Sequence, residues 1–213
     1  MPHSIRFPFP SLRIGTDICQ VSHIHRILAD PHRGTRFIRR VLTPEERDAA
    51  REPIADILRA ADRVAERKSA SLKEHEVAQA VTKHEEPQGA EEARGVTVKE
   101  EKRSEKPWVK PTILKEAAIF MAGRFAAKEA VIKAHPHLCM GYRHIVIKNE
   151  TYAWRPSNNS RPASGPPTAL VKTSEILGED HQDQEAILSI SHDGDYATAV
   201  CMGFNQEKKE YSN

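Results

Sequence analysis

Apolar positions recur along this chain in two rhythms, and a long polar stretch separates them. Leu12 to Asp17 reads as a short strand, with Gly15-Thr16-Asp17 placing a carboxylate at its end. Val21 to Asp30 has helical spacing and is stopped by Pro31, and Arg36 to Leu42 reads as one or two further turns. Thr43-Pro44-Glu45-Glu46 has the form of a helix start: a Thr N-cap, Pro at the first helical position and Glu at the third. The strongest helix spans Thr112 to Ala134. Ile113, Ala117, Phe120, Met121, Phe125 and Ile132 are spaced for one buried face, and Pro136 follows. Beyond it, His144 to Lys148 and Thr168 to Val171 read as strands. Ala186 to Ser191 and Tyr196 to Phe204 are apolar runs around Asp193-Gly194-Asp195, a hairpin signal. Together these parts predict a packed α+β domain.

The middle of the chain breaks this pattern. Between Arg51 and Lys110, 26 of 60 residues are charged, 13 of each sign, and Trp108 is the single aromatic. Such a segment buries too little apolar surface to offset its ordering entropy. Its first half still carries a helical stripe at Ile54, Ile57, Leu58, Ala61, Val64 and Ala65. Residues 51–83 are therefore expected to form a helical extension and 84–107 a disordered loop. The whole stretch 48–111 reads as an insertion in a single domain whose core is 12–47 and 112–204.

Composition narrows the function more by exclusion than by pointing. The chain has 213 residues, 38% hydrophobic, and 32 basic against 30 acidic side chains give a net charge of +2. No global field points to nucleic acid, and no apolar run approaches the length of a membrane span. Cys19, Cys139 and Cys201 are too far apart for a CxxC metal site and suit a reducing compartment. Phosphate-loop, dinucleotide-fingerprint and HExxH motifs are all missing.

Four clusters carry candidate chemistry, each with a bland alternative. Asp17 is either a ligand carboxylate near a Gly that permits close approach, or a cap for the next helix. Arg124, Lys128, Glu129 and Lys133 share one side of the long helix. They read either as a divalent-cation and polyphosphate site, with small Ala126, Ala127 and Ala130 leaving room, or as a solvated face. His192, at the hairpin tip, is either a phosphate contact or part of a polar turn. His23, His25, Arg26, Arg33, Arg36, Arg39 and Arg40 form a basic segment that either docks an acidic partner or is merely solvated. His135 and His137 read as a helix-end cation pair or, alternatively, a metal pair.

Taken together and in order, these segments resemble one family. GTDICQVSHI at 15–24, RFIRRVLTPEE at 36–46, GRFAAKEAVIKA at 123–134 and LSISHDGDYATAV at 188–200 are similar to motifs of the holo-acyl-carrier-protein synthases, the short class of 4′-phosphopantetheinyl transferases. The resemblance covers 12–47 and 115–204. It implies a small antiparallel sheet packed with the long helix. It also implies transfer of the phosphopantetheine arm of coenzyme A to a Ser of an acyl carrier protein, releasing adenosine 3′,5′-bisphosphate. By motif match, Asp17 and Glu129 would hold Mg²⁺. Arg124, Lys128, Lys133 and His192 would lie at the coenzyme A phosphates, and Glu129 with Lys133 would act in catalysis. The base would be Glu129 or a water on the metal. The family assembles as a homotrimer with sites between neighbouring chains.

This sequence departs from the family pattern in three places. Pro166 stands where the family has a Lys in its G-K-P loop, His23 stands where it has an Arg, and 48–111 has no counterpart in the short bacterial members. A broad-range transferase of the longer, duplicated type would need two related halves, and one G-T-D-I segment is present. An inert carrier-binding subunit would lack the two carboxylates, and both are there. Met1 to Arg13 has two Arg, a His and no acid, which favours a mitochondrial over a cytoplasmic location.

Overall fold

A computed structural model describes residues 12–50, 52–82, 107–151 and 164–204. The disordered loop expected for 84–107 falls almost entirely outside the described residues, as does most of the basic leader. The observed order is β1 (Leu12–Gln20), α1 (Val21–Leu28), α2 (Pro31–Val41), α3 (Pro44–Asp48), α4 (Glu52–Thr82), α5 (Pro111–Ala134), β2 (Ile145–Thr151), β3 (Ser164–Val171), α6 (Thr173–Leu177), β4 (Gln184–Asp193) and β5 (Tyr196–Phe204). Among the described residues, five strands form one antiparallel sheet in the order β1-β5-β4-β3-β2. The fold is α+β. The short helix α6 was not anticipated: five residues carry too little periodicity to read.

The β4–β5 hairpin closes where the Asp-Gly-Asp signal placed it, with Asp193 opposite Tyr196 and Gly194 at φ +53°. A positive φ at the first turn residue is what Gly tolerates and other residues resist. Asp195, the next residue, caps α1: its carboxylate accepts from the Ser22 amide (2.8 Å) and hydroxyl (2.7 Å). These hydrogen bonds from Ser22 hold the Asp195 carboxyl below its usual range. The capping role considered for Asp17 is thus filled from the other end of the chain.

Helix α5 lies against the sheet and is surrounded on most sides. Leu114, Ala117, Ala118, Met121, Ala122, Ala126, Ala127, Ala130, Val131 and Ala134 are buried. The single-face reading is corrected here: Ile113, Phe120, Phe125 and Ile132 are only partly buried, and the alanines form most of the contact. Small side chains let backbone approach backbone. At Gly15 of β1, a Cβ would stand 2.0 Å from the Ala130 carbonyl oxygen and 2.6 Å from the Ala134 amide, so β1 and α5 cross where only Gly fits.

Alternation along β1, β4 and β5 turns Asp17, Cys19, Leu188, Ile190, His192, Ala197, Ala199 and Cys201 toward the helix. The opposite face of the same strands carries Ile14, Ile18, Ile187, Tyr196, Val200 and Phe204, each 40–65% exposed. All three cysteines are free thiols, and burial pushes Cys19 up to about 11 and Cys201 up to about 12.

The capping box at Thr43 forms as its residues suggest: Glu46 donates its amide to the Thr43 hydroxyl (3.2 Å), and its carboxylate accepts from the Thr43 amide (2.8 Å). In α4, Ile54 and Ile57 are fully buried and Ala61 nearly so, whereas residues 65–71 are exposed. Over residues 52–71, helix α4 docks through its first three turns. The chain returns at Trp108, whose indole N–H donates to the Ala29 carbonyl (2.7 Å) at the α1–α2 junction.

Candidate functional site

Two elements meet at the Gly15 crossing, and the meeting sets the site. Asp17 follows Gly15 by two residues, on the same face of β1, and so faces α5 one step beyond the contact. Lys133, near the end of α5, donates from its ammonium to Asp17 Oδ1 (2.7 Å) and to the Thr16 carbonyl (3.0 Å). The Lys133 side chain is 51% exposed and that of Asp17 15%. The pair is an accessible cation on a half-sheltered carboxylate.

One turn back along α5, the Glu129 carboxylate accepts a short hydrogen bond at Oε1 from the Tyr142 hydroxyl. Burial, then the bond to Glu129, raises the Tyr142 phenol well above its ordinary value, and the Asp17 charge adds to that rise. Glu129 and Lys133 are four residues apart on α5, so the Tyr142–Glu129 bond and the Lys133–Asp17 pair lie on successive turns of one helix face. Hard oxygen donors of this kind suit Mg²⁺, whose remaining coordination positions are normally filled by water and phosphate oxygens. Among the described residues no cluster of three or more His, Cys, Asp or Glu could hold a metal ion; Asp17 and Glu129 are the two hard oxygen donors on offer, Asp17 Oδ1 engaged by Lys133 and Glu129 Oε1 by Tyr142.

Arg124 and His192 line a cleft of about 720 Å³, together with Phe120, Ile119, Ile190 and the first turn of α4 at Pro53 and Ile54; Asp17, Glu129, Lys133 and Tyr142 are not in its lining. Arg124 donates to the Ile147 carbonyl (2.9 Å) and its guanidinium sits 5.1 Å from the Phe120 ring centroid. The His192 imidazole rests on Gly123. A Cβ there would stand 2.7 Å from Cε1 and 2.9 Å from Nε2. Gly123 leaves the room the imidazole uses. The cleft combines apolar walls with a permanent cation and an exposed imidazole, a lining suited to a molecule with an anionic group and a flat or aliphatic body. Gly165, of the loop that resembles G-K-P, also lines it.

Lys128 is placed elsewhere. Its side chain is wholly buried, and its ammonium donates to Glu46 Oε2 (2.5 Å), the Val41 carbonyl (2.7 Å) and the Tyr142 carbonyl (3.1 Å). Those three acceptors use all three N–H donors of an ammonium. Desolvation pulls the Lys128 pKa down, with the Glu46 charge opposing. Glu46 also accepts from the Ile147 amide (3.1 Å). The structure therefore does not bring Lys128 together with Lys133, Arg124 and His192 at an open surface; it makes Lys128 the centre of a buried network joining α2, α3, α5 and β2.

His135 is buried against Gly203, with Nδ1 2.9 Å from the Val131 carbonyl. Desolvation lowers its pKa and that of His137, so burial disfavours the cation pair considered for them. Sequence reasoning missed Tyr142 and Glu46 as site residues. Glu46 had a visible signal as the third residue of a capping box, but its reach to α5 is tertiary. Tyr142 lies in a 3₁₀ turn with no motif of its own.

No family model matches the chain. In sequence it is similar to 4′-phosphopantetheinyl transferases as a class. Within that class it is similar to the holo-[acyl-carrier-protein] synthases. The enzyme of that name from Corynebacterium efficiens is 42% identical over 88 residues, which cover 38% of this chain and 59% of the relative. That match spans about three fifths of the relative's length. The mitochondrial 4′-phosphopantetheinyl transferase B of Aspergillus fumigatus is 26% identical over 200 residues, covering 93% of this chain and 96% of the relative. Among solved structures, the holo-ACP synthase of Plasmodium yoelii aligns over 92% of this chain and 97% of its own, with 22% identity and a TM-score of 0.47.

Proposed function

We propose that the chain transfers the 4′-phosphopantetheine group of coenzyme A to a Ser hydroxyl of an acyl carrier protein, with Mg²⁺ held by Asp17 and Glu129. The observation that carries this reading is the pairing of Asp17 with Lys133 and of Glu129 with Tyr142 where β1 and α5 meet, on the helix that also carries Arg124 into a cleft shared with His192. In the transfer, a bond forms between the Ser oxygen and the phosphorus bearing pantetheine. The pyrophosphate P–O bond breaks, and adenosine 3′,5′-bisphosphate leaves. Such chemistry asks mainly for in-line placement and neutralisation of charge. Bound Mg²⁺ would supply part of that neutralisation; Lys133, Arg124 and His192 supply the rest. Glu129 is the candidate acceptor of the Ser proton. Lys128 takes no part in this set because its ammonium is buried and fully engaged. A mass shift of a candidate carrier incubated with coenzyme A, Mg²⁺ and the protein tests the reading; an unmodified carrier overturns it.

The basic surface supports an acidic partner. Arg26, Arg33, Arg36, Arg39 and Arg40 all reach solvent on α1 and α2. Arg39 is shared with Asp62 of α4 at 3.8 Å, and Arg40 lies 5.9 Å from the Tyr142 ring centroid, so Arg26 and Arg36 are the better probes. Reversing both to Glu is expected to raise the KM for the carrier and lower kcat/KM roughly tenfold at low salt, and by less at high salt. Coenzyme A binding should be unchanged. Steady-state kinetics against carrier at two ionic strengths checks this; wild-type kinetics at both would mean the arginines are only solvated.

The apolar face of β1, β4 and β5 supports assembly through the sheet. Six large side chains exposed together form the kind of patch that a monomer seldom leaves to water. The expected assembly is a homotrimer with sites shared between neighbours, and light scattering at micromolar concentration checks it. A monomer that is fully active refutes it. The similarity over 93% of this chain to a mitochondrial transferase supports a mitochondrial location; no helix among the described residues is long and apolar enough to cross a membrane.

A further inference from the structure

We propose that Tyr142 is a positioning residue for Glu129, fixing which carboxylate oxygen is turned toward the bound cation and the phosphates. The proposal rests on the transferase reading for what Glu129 does, but not for how Glu129 is held. Tyr142 is gripped from three sides. Its backbone carbonyl accepts from the buried Lys128 ammonium at 3.1 Å. Its ring packs on Phe125, with centroids 5.8 Å apart, and the Arg40 guanidinium lies over it at 5.9 Å. Its hydroxyl donates to Glu129 Oε1. A carboxylate on an exposed helix face rotates freely between rotamers, whereas one bonded by a phenol anchored at both ends keeps one orientation. Oε1 is taken by the phenol, so the approach of a cation falls to Oε2. Lys128, Glu46 and Tyr142 then form one support: the buried ion pair holds the turn, the turn holds the phenol, and the phenol holds the carboxylate.

Tyr142→Phe removes the hydroxyl and keeps the ring. Mn²⁺ binding, followed by electron paramagnetic resonance on the protein without coenzyme A, is the direct readout. Loss of a group that orients a metal ligand typically costs 10–100-fold in affinity, so the variant is expected to bind Mn²⁺ about 10-fold or more weakly. Its thermal midpoint should move by no more than about 4 °C. Phe125→Leu is the companion variant: it loosens the ring contact but leaves the hydroxyl in place. It should lower the midpoint and weaken Mn²⁺ binding clearly less than Tyr142→Phe does. Equal Mn²⁺ affinity in Tyr142→Phe and wild type overturns the proposal. So does a wild type that binds no Mn²⁺, or a Phe125→Leu variant that loses affinity as much as Tyr142→Phe. Carrier modification by the wild type is measured alongside. If no transfer is seen while the Mn²⁺ difference persists, the transferase reading falls and the placement of Glu129 stands.

Discussion

Asp17→Ala and Glu129→Gln are each expected to depress transfer to the carrier by about 10²–10⁴-fold, the range for losing a positioned general base or an electrostatic group in a polar site. Neither change should unfold the protein. Asp17→Ala removes the partner of Lys133, but that ammonium is half exposed and water can replace the carboxylate. Glu129→Gln keeps the carbonyl oxygen that accepts from Tyr142. Circular dichroism should therefore match wild type while the carrier mass shift disappears on the same time scale. Full activity in either variant would remove that carboxylate from the metal set. A fall in KM for coenzyme A with kcat unchanged would mean the carboxylate repels phosphate equally in the ground state and the transition state.

Lys128→Met is expected to behave in the opposite way: a loss of stability of about 3–5 kcal/mol, the usual consequence of removing one member of a buried ion pair. The change leaves the Glu46 carboxylate buried with its charge uncompensated, and the Val41 and Tyr142 carbonyls without their donor. Urea unfolding at one fixed protein concentration measures it, as a midpoint lower by about 1–3 M. The double variant Lys128→Met with Glu46→Gln should recover part of the loss, because it removes the buried charge, although the single amide oxygen can accept from only one of the Thr43 and Ile147 amides, which bond to different Glu46 oxygens. A Lys128 that served the phosphates would give the reverse result, with stability unchanged and coenzyme A affinity reduced.

These two expectations show where local pattern was informative and where it was not. Glu129 and Lys128 are neighbours in one motif, and periodicity assigns both to one helix. Their fates differ because the helix is enclosed: α3 and the turn at Tyr142 close over Lys128, while Lys133, one turn beyond Glu129, stays half exposed beside Asp17. Nothing in a helix period tells which side another element will cover.

The sequence by itself determined the order and kind of most elements. Pro136 follows the end of α5, Thr43 to Glu46 caps a helix, and Asp193-Gly194-Asp195 closes a hairpin, all through backbone preferences acting within a few residues; Pro31, expected to stop a helix, instead opens α2 behind the Asp30 cap. It also made Gly15, Asp17, Glu129, Lys133 and His192 visible as candidates through motif order. Tertiary structure alone decided which of these meet. The Asp17–Lys133 pair spans 116 positions and Lys128–Glu46 spans 82, and such contacts exist only once β1 lies across the alanine surface of α5. Enclosure on several sides buried more of α5 than the one face its spacing predicted. It converted a cation expected at the phosphates into a buried anchor, and brought a tyrosine without any motif onto the site carboxylate. Burial and hydrogen-bond partners come from residues remote in sequence, and those contacts set the desolvation that pulled Lys128 down and Tyr142 up.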